Sequence, residues 1–151
     1  MTTIKLVDKL PKEAEEKMHS GFLEYETANG ISINYKSFSL ILTNNEEVVG
    51  VLNAYTAFAE IYIDDIWVDS AHRCKGFGIK LIQNLEERFK NKGFNNINLV
   101  TSAFQAPEFY KKCGFKLEFV RKNFKNPKLT KYFFIKYFND IVQTQGVIKL
   151  G

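Results

Sequence analysis

Residues 68–79 read Val-Asp-Ser-Ala-His-Arg-Cys-Lys-Gly-Phe-Gly-Ile, an order suited to the capture of an anion. A β-branched run from Ile61 to Val68 ends, Arg73 and Lys75 add full positive charges, Gly76 and Gly78 follow, and an amphipathic helix begins. A glycine-bearing turn lets backbone N–H groups approach a phosphate closely. The helix behind it presents unpaired donors at the positive end of its dipole. A guanidinium adds two-pronged contact to phosphate oxygens. Two familiar phosphate loops are excluded by position. The dinucleotide fingerprint needs a third glycine at position 81, which is Leu. The nucleoside-triphosphate loop needs Gly-Lys followed by Ser or Thr, whereas Lys75 precedes Gly76 and Phe77 follows it.

What remains is Arg73-x-x-Gly76-x-Gly78 at a strand-to-helix junction, with Val68 five residues ahead of the arginine. This resembles the pyrophosphate-binding motif of the GNAT superfamily of N-acetyltransferases. Residues 105–115, Gln-Ala-Pro-Glu-Phe-Tyr-Lys-Lys-Cys-Gly-Phe, resemble a later motif of the same family through Ala106, Phe109, Tyr110, Gly114 and Phe115. The resemblance covers about residues 50 to 138, and more weakly the whole chain. It implies an α/β acyl-CoA N-acyltransferase-like fold of one domain, a mixed central sheet flanked by helices, with a bulged strand near 64–65 beside the pantetheine arm. It implies acetyl-CoA as cosubstrate, with no metal. The N–H groups of Cys74, Lys75, Gly76, Phe77, Gly78 and Ile79 would cradle the pyrophosphate, Arg73 would support it, and Ile66, Trp67 and Val68 would line the arm. One departure is Ala103, where relatives often carry an Asn seven residues before the Tyr; any coenzyme contact of that Asn must be absent or replaced.

Acetyl transfer to an amine needs a neutral nucleophile, a polarised thioester carbonyl and a proton for the departing thiolate. An aliphatic ammonium has a pKa of about 10, so a carboxylate or water chain must take its proton. Glu60, Asp64 and Asp65 stand near the expected cleft, and Glu60 is the first choice as base, since relatives often carry a Glu near the start of this strand. Tyr110 is the expected proton donor to the thiolate. A backbone N–H of the bulged strand, at Ile66 or a neighbour, suits the developing oxyanion. Tyr25, Tyr62, Asp64 and Asp65 are the expected acceptor-binding residues, a set of rings and carboxylates suited to a cationic small amine. The expected function is an N-acetyltransferase moving an acetyl group to a primary amine of a small molecule, by direct transfer in a ternary complex. The alternatives are a catalytically silent CoA-binding or regulatory module and a protein or peptide N-acetyltransferase.

The elements that must position these residues are legible in pattern. A strand at 3–8 and a helix opened by Pro11 and broken at Asn29-Gly30 come first. Strands at 37–43 and 47–57 flank a hairpin turn at Asn44-Asn45, and a strand at 60–68 runs into the glycine loop. The helix from Gly76 to Asn91 carries the stripe Leu81, Ile82, Leu85 and Phe89. Strand 96–101, a short helix at 106–112 and strands near 115–121 and 130–138 complete the order. In strand 60–68, Ile61 and Ile63 differ in parity from Ile66 and Val68. One extra residue near Asp64-Asp65 would bring all four to one face, which is what a β-bulge does. The domain is expected to span 1–138, with a C-terminal extension at 139–151.

With 151 residues, 45% hydrophobic and 25% charged, the chain is long enough for a real core. No apolar run approaches a membrane span, the N-terminus lacks a signal pattern, and the two cysteines and two histidines have no metal-ligand spacing. The chain is therefore expected to be cytoplasmic and metal-free. The net charge of +4 and the cluster Arg121, Lys122, Lys125, Lys128 and Lys131 flank a turn at Asn126-Pro127, a solvated hairpin rather than a nucleic-acid surface. The expected partner is a small-molecule amine acceptor, with no nucleic acid and no membrane; a homodimer is left open.

Overall fold

Thirteen of the fourteen phenylalanines and most of the β-branched residues lie beyond position 35, and there they build a sheet. The computed structural model describes residues 1–139, so the extension expected over 139–151 lies, beyond Asn139, outside the described residues. The chain divides into two compact units, Met1–Asn34 and the residues from Tyr35 on.

The first unit is built on helix α1, Lys12–Ala28. Pro11 precedes its first turn, Glu13 and Glu15 favour the positive end of its dipole, and Gly30 takes a left-handed φ of 70° just past its end. The strand expected at 3–8 does not form: those residues carry no regular structure. Ile4 and Leu6 are fully exposed. Alternation alone does not make a strand, because β-preference expresses packing against a paired neighbour, and among the described residues no strand pairs with this segment.

The second unit is a six-stranded mixed sheet in the order β1-β2-β3-β4-β6-β5. Its strands are β1 (Lys36–Asn44), β2 (Glu47–Ala57), β3 (Glu60–Val68), β4 (Asn96–Ser102), β5 (Lys116–Arg121) and β6 (Lys131–Tyr137). Only β3 and β4 run parallel, and the crossover between them is helix α2, Phe77–Phe89. The β1–β2 hairpin turns on Asn45 and Glu46, both with positive φ, the twist that a two-residue loop needs. Helix α3, Pro107–Lys112, follows β4.

One face of the sheet makes the core with α2. Leu52, Ile61, Ile63, Ile97, Leu99 and Phe134 meet Leu81, Ile82 and Leu85, all essentially buried. Phe89, the last residue of the helical stripe, packs on Phe38 and Phe94 with ring centres 5.3 and 5.4 Å away. Cutting Leu85 to Ala in such a setting costs about 2–5 kcal/mol. Among the described residues, no helix is long and apolar enough to cross a membrane.

Candidate active site

The bulge sits where parity requires it. Asn53 of β2 pairs with Asp65, but the next residue, Ala54, pairs with Ile63, so Asp64 is the extra residue. Ile61 and Ile63 are buried, and Ile66 and Val68, half-buried, return to the same face. A second irregularity coincides with the bulge. The parallel ladder joins Glu60–Ile63 to Asn96–Leu99 and stops there. Beyond it β3 continues along β2 to Val68, and β4 continues along β6 to Ser102. The two strands therefore part into a wedge, walled by backbone whose ladder partners are missing on that side. Every second residue of each strand directs its N–H and C=O into this gap. The wedge opens at the carboxyl ends of parallel strands, the place where open α/β sheets offer backbone to ligands.

The glycine loop closes one side of that opening. Arg73 turns back on the end of β3, its Nε donating to the Val68 carbonyl at 3.3 Å. Asp69 and His72 bracket a single 3-10 turn, with Nδ1 and Oδ2 2.9 Å apart, and the imidazole stacks on Phe77 at 6.2 Å. The hydrogen bond from His72 holds the Asp69 carboxyl below its usual range, against a weaker opposing effect of burial. Cys74 and Gly76 both take left-handed backbone, with φ of 63° and 79°. Left-handed residues set between ordinary ones curl a backbone into an anion-binding concavity. No side chain caps α2, and its first return bond runs from the Lys80 N–H to the Gly76 carbonyl at 3.1 Å. The N–H groups of Phe77, Gly78 and Ile79 thus have no intrahelical acceptor. Arg73, Cys74 and Lys75 are exposed around them.

The two glycines serve different ends. A Cβ on Gly76 would meet nothing within 4 Å, so only its φ calls for glycine. A Cβ on Gly78 would lie 2.9 Å from the Phe109 ring. Gly78 is therefore also a packing residue, bringing α2 against α3, a role that the motif spacing does not reveal.

Helix α3 forms the other side of the opening. Its Tyr110 is 6% exposed, packed by ring contacts to Phe109, Phe115 and Phe134 at 5.2–6.1 Å. Among the described residues, none makes a hydrogen bond to its hydroxyl. Burial pushes its phenol up to about 12, with Cys113 and the Asp65 carboxylate adding to the shift. Asp65 thus acts across the wedge on Tyr110. Its own carboxylate accepts from Asn53 Nδ2 at 3.4 Å, and Asn53 is oriented by Ser39, whose Oγ donates to Oδ1 at 2.5 Å.

Ser37, Ser39, Asn53, Asp64 and Asp65 line a groove of about 600 Å³ on β1–β3. Burial, then Asp65, raises the Asp64 carboxyl. Beside it runs a ladder of rings, Tyr35–Tyr55 at 5.4 Å and Tyr55–Tyr62 at 5.2 Å. Tyr62 and the two aspartates are thus brought together, and Tyr110 stands apart from them on α3. Glu60 is not among them. It stands four residues before the bulge, roughly 13 Å along the strand, and accepts from Asn96 Nδ2 at 3.1 Å. Tyr25 belongs to α1 in the first unit. Trp67 is exposed on the pleat opposite Ile66 and Val68. At Ala103 the backbone N–H bonds to the Thr130 carbonyl at 2.8 Å. Sequence reasoning missed the splay of β3 and β4 and the Ser39–Asn53–Asp65 chain. The bulge was the available signal for the first; nothing local marked the second.

Residues 5–115 match the sequence profile of the Acetyltransferase (GNAT) family. The chain belongs to this family. Blasticidin-S acetyltransferase of Streptomyces morookaense is 33% identical over 72 residues, 47% of this chain. The match spans about half of that relative, 53% of its length. Among solved structures, an acetyltransferase from Bacillus cereus superposes with a TM-score of 0.70 at 28% identity, covering 88% of this chain and 97% of its own. The aminoglycoside 6'-N-acetyltransferase from Enterococcus faecium shares the fold, with a TM-score of 0.59 at 18% identity over 82% of this chain and 87% of its own. GNAT proteins use acetyl-CoA, and the donor set here fits a pyrophosphate: uncapped helix N–H groups, two left-handed residues and two exposed cations in one loop. Among the described residues, no group of three or more His, Cys, Asp or Glu is arranged to hold a metal ion.

Proposed function

We propose that this GNAT protein transfers an acetyl group from acetyl-CoA to a primary amine of a small, cationic acceptor, directly and in a ternary complex. The observation that carries the reading is the wedge between β3 and β4. It opens between an anion-binding loop on one side and the Tyr110 hydroxyl on the other, with paired carboxylates at its root. The N–H groups from Cys74 to Ile79 hold the pyrophosphate, with Arg73 and Lys75 beside them. The backbone of Ile66, Trp67 and Val68 holds the extended arm, and a free N–H near Ile66 polarises the carbonyl. Bound acetyl-CoA supplies an activated thioester and a thiolate leaving group.

Tyr110 holds a proton at its hydroxyl throughout the neutral range, because burial keeps the phenol near 12. Full transfer from that phenol to an ordinary thiolate, of pKa about 8.5, would run uphill by roughly 4–5 kcal/mol. Its contribution is therefore a charge-assisted hydrogen bond to the departing sulfur, worth about 1.5–3 kcal/mol. The acceptor lies in the groove of Asp64, Asp65 and Tyr62. The amine passes its proton along a chain of several waters to Glu60, a carboxylate already oriented by Asn96.

The test is thiol release over a panel of aminoglycosides, nucleoside amines, polyamines, amino acids and peptides. The reading predicts turnover with cationic small amines, and a KM raised about tenfold or more in Asp65→Asn with acetyl-CoA affinity retained. Coenzyme binding without turnover on any amine would indicate a silent module. Turnover on peptides alone would overturn the choice of acceptor.

A further inference from the structure

Two charged residues occupy positions that the fold reserves for apolar ones. On β6, Lys136 pairs with the fully buried Ile97 and shares its face with Phe134, on the side packed by α2. On α2, Glu86 is buried beside Leu81, Ile82 and Leu85. Neither charge is tolerable there alone. They meet each other, with Lys136 Nζ 2.6 Å from Glu86 Oε1, side chains 18% and 10% exposed. The same ammonium donates to the Cys113 carbonyl at 2.8 Å and lies 5.8 Å from the centre of the Phe115 ring. Gly114, between those two residues, has a φ of 90°, and a Cβ on it would stand 3.2 Å from Nζ. The glycine of the second motif thus makes room for the lysine of the last strand.

The Cys113 carbonyl ends α3, and α3 has only six residues. So short a helix does not hold itself. Its first end is fixed by Pro107 and by Thr101 Oγ1, which accepts from the Ala106 N–H at 3.4 Å. Its last end is fixed by the ammonium. The N–H groups of Cys113, Gly114 and Phe115 then bond to the carbonyls of Phe109, Lys111 and Tyr110 at 3.0–3.1 Å. The held turn therefore grips Tyr110 by its backbone. Among the described residues its hydroxyl has no tether, so its place in the wedge is set from this end. An apolar pair would fill the same space without a directed bond to the Cys113 carbonyl.

We propose that Lys136 and Glu86 are positioning residues: their ion pair pins the end of α3 and so aims the Tyr110 hydroxyl into the wedge. This rests on Tyr110 serving the departing thiolate. The test compares Lys136→Met, Tyr110→Phe and the double variant for turnover, acetyl-CoA affinity by calorimetry, and the alkylation rate of Cys113 by peptide mapping. Lys136→Met should lose about 10- to 100-fold in turnover, the cost of a hydroxyl displaced by about 1 Å, with acetyl-CoA affinity close to wild type. Cys113 should be alkylated several-fold faster, and in the Tyr110→Phe background Lys136→Met should cost almost nothing more. Equal losses in both backgrounds would overturn the proposal while leaving Tyr110 its role. Wild-type turnover in Tyr110→Phe would refute that role instead, and with it the purpose assigned to the pin. If Lys136→Met does not fold, Glu86→Gln, which keeps the volume, and Gly114→Ala, which crowds Nζ, must show the same pattern. Unchanged turnover and unchanged Cys113 alkylation in those variants would equally refute the pin.

Discussion

Replacing Gly78 by Ala tests how closely the glycine loop and helix α3 are packed together. The added Cβ would stand 2.9 Å from Phe109 Cζ, 3.0 Å from Cε1 and 3.8 Å from Val68 Cγ2. Carbon contacts prefer about 3.5–4.0 Å, so the overlap with the ring is roughly 0.5–1 Å. The ring has little room to withdraw, because its other side meets Tyr110 at 5.2 Å, nearly edge to face. Overpacking of this kind costs about 1–3 kcal/mol, and Ala in a helix returns up to about 1. The expected net loss is about 1–2 kcal/mol. Phe109→Leu alone should cost about 1 kcal/mol, yet it removes the atoms that clash, so the double variant should be more stable than the sum of the two losses by at least about 1 kcal/mol. Urea unfolding of the four proteins at one pH measures this directly. Additivity within about 0.5 kcal/mol would refute the contact, and with it the claim that Gly78 is a packing residue.

Tyr110→Phe should reduce turnover by about 10- to 100-fold while acetyl-CoA affinity stays near wild type, since the hydrogen bond matters only as the sulfur gains charge; wild-type turnover would mark Tyr110 as a core residue. The same substitution should change alkaline stability. The folded phenol titrates near 12 against about 10 unfolded, so its contribution is complete below pH 10 and is lost as pH rises towards 12. Between pH 9 and pH 11 this should cost the wild type about 1.4 kcal/mol more than Tyr110→Phe, as read from urea melts at pH 9, 10 and 11. Equal slopes would refute the buried phenol.

Strands and helices from β1 to β6 were legible because pattern and packing agree there. Parity in β3 located the bulge: a strand with one buried face has to keep Ile61, Ile63, Ile66 and Val68 on it. The same logic failed at residues 3–8, where alternation was present but none of the described strands pairs with it. The turn at Gly76 was legible from residue type, as its positive φ needs glycine, but Gly78 serves a contact 31 positions away that no local spacing encodes. The splay was hidden for a similar reason, since it depends on where two distant strands stop pairing. Lys136 and Glu86 broke the apolar pattern of their elements. That break was the readable signal for the pin, though only the fold shows that the two charges meet.

The central claim is that the coenzyme's pyrophosphate sits on the loop at the start of α2, and calorimetric titration of acetyl-CoA into Gly76→Asp tests it most directly. A side chain there meets nothing within 4 Å, and aspartate tolerates left-handed backbone better than most residues, so the fold should survive. The carboxylate would stand among the donors meant for phosphate, and like charges so placed cost several kcal/mol. Affinity should fall by more than about 100-fold with an unchanged thermal melt of the free protein. Wild-type affinity in a folded Gly76→Asp protein would contradict the account.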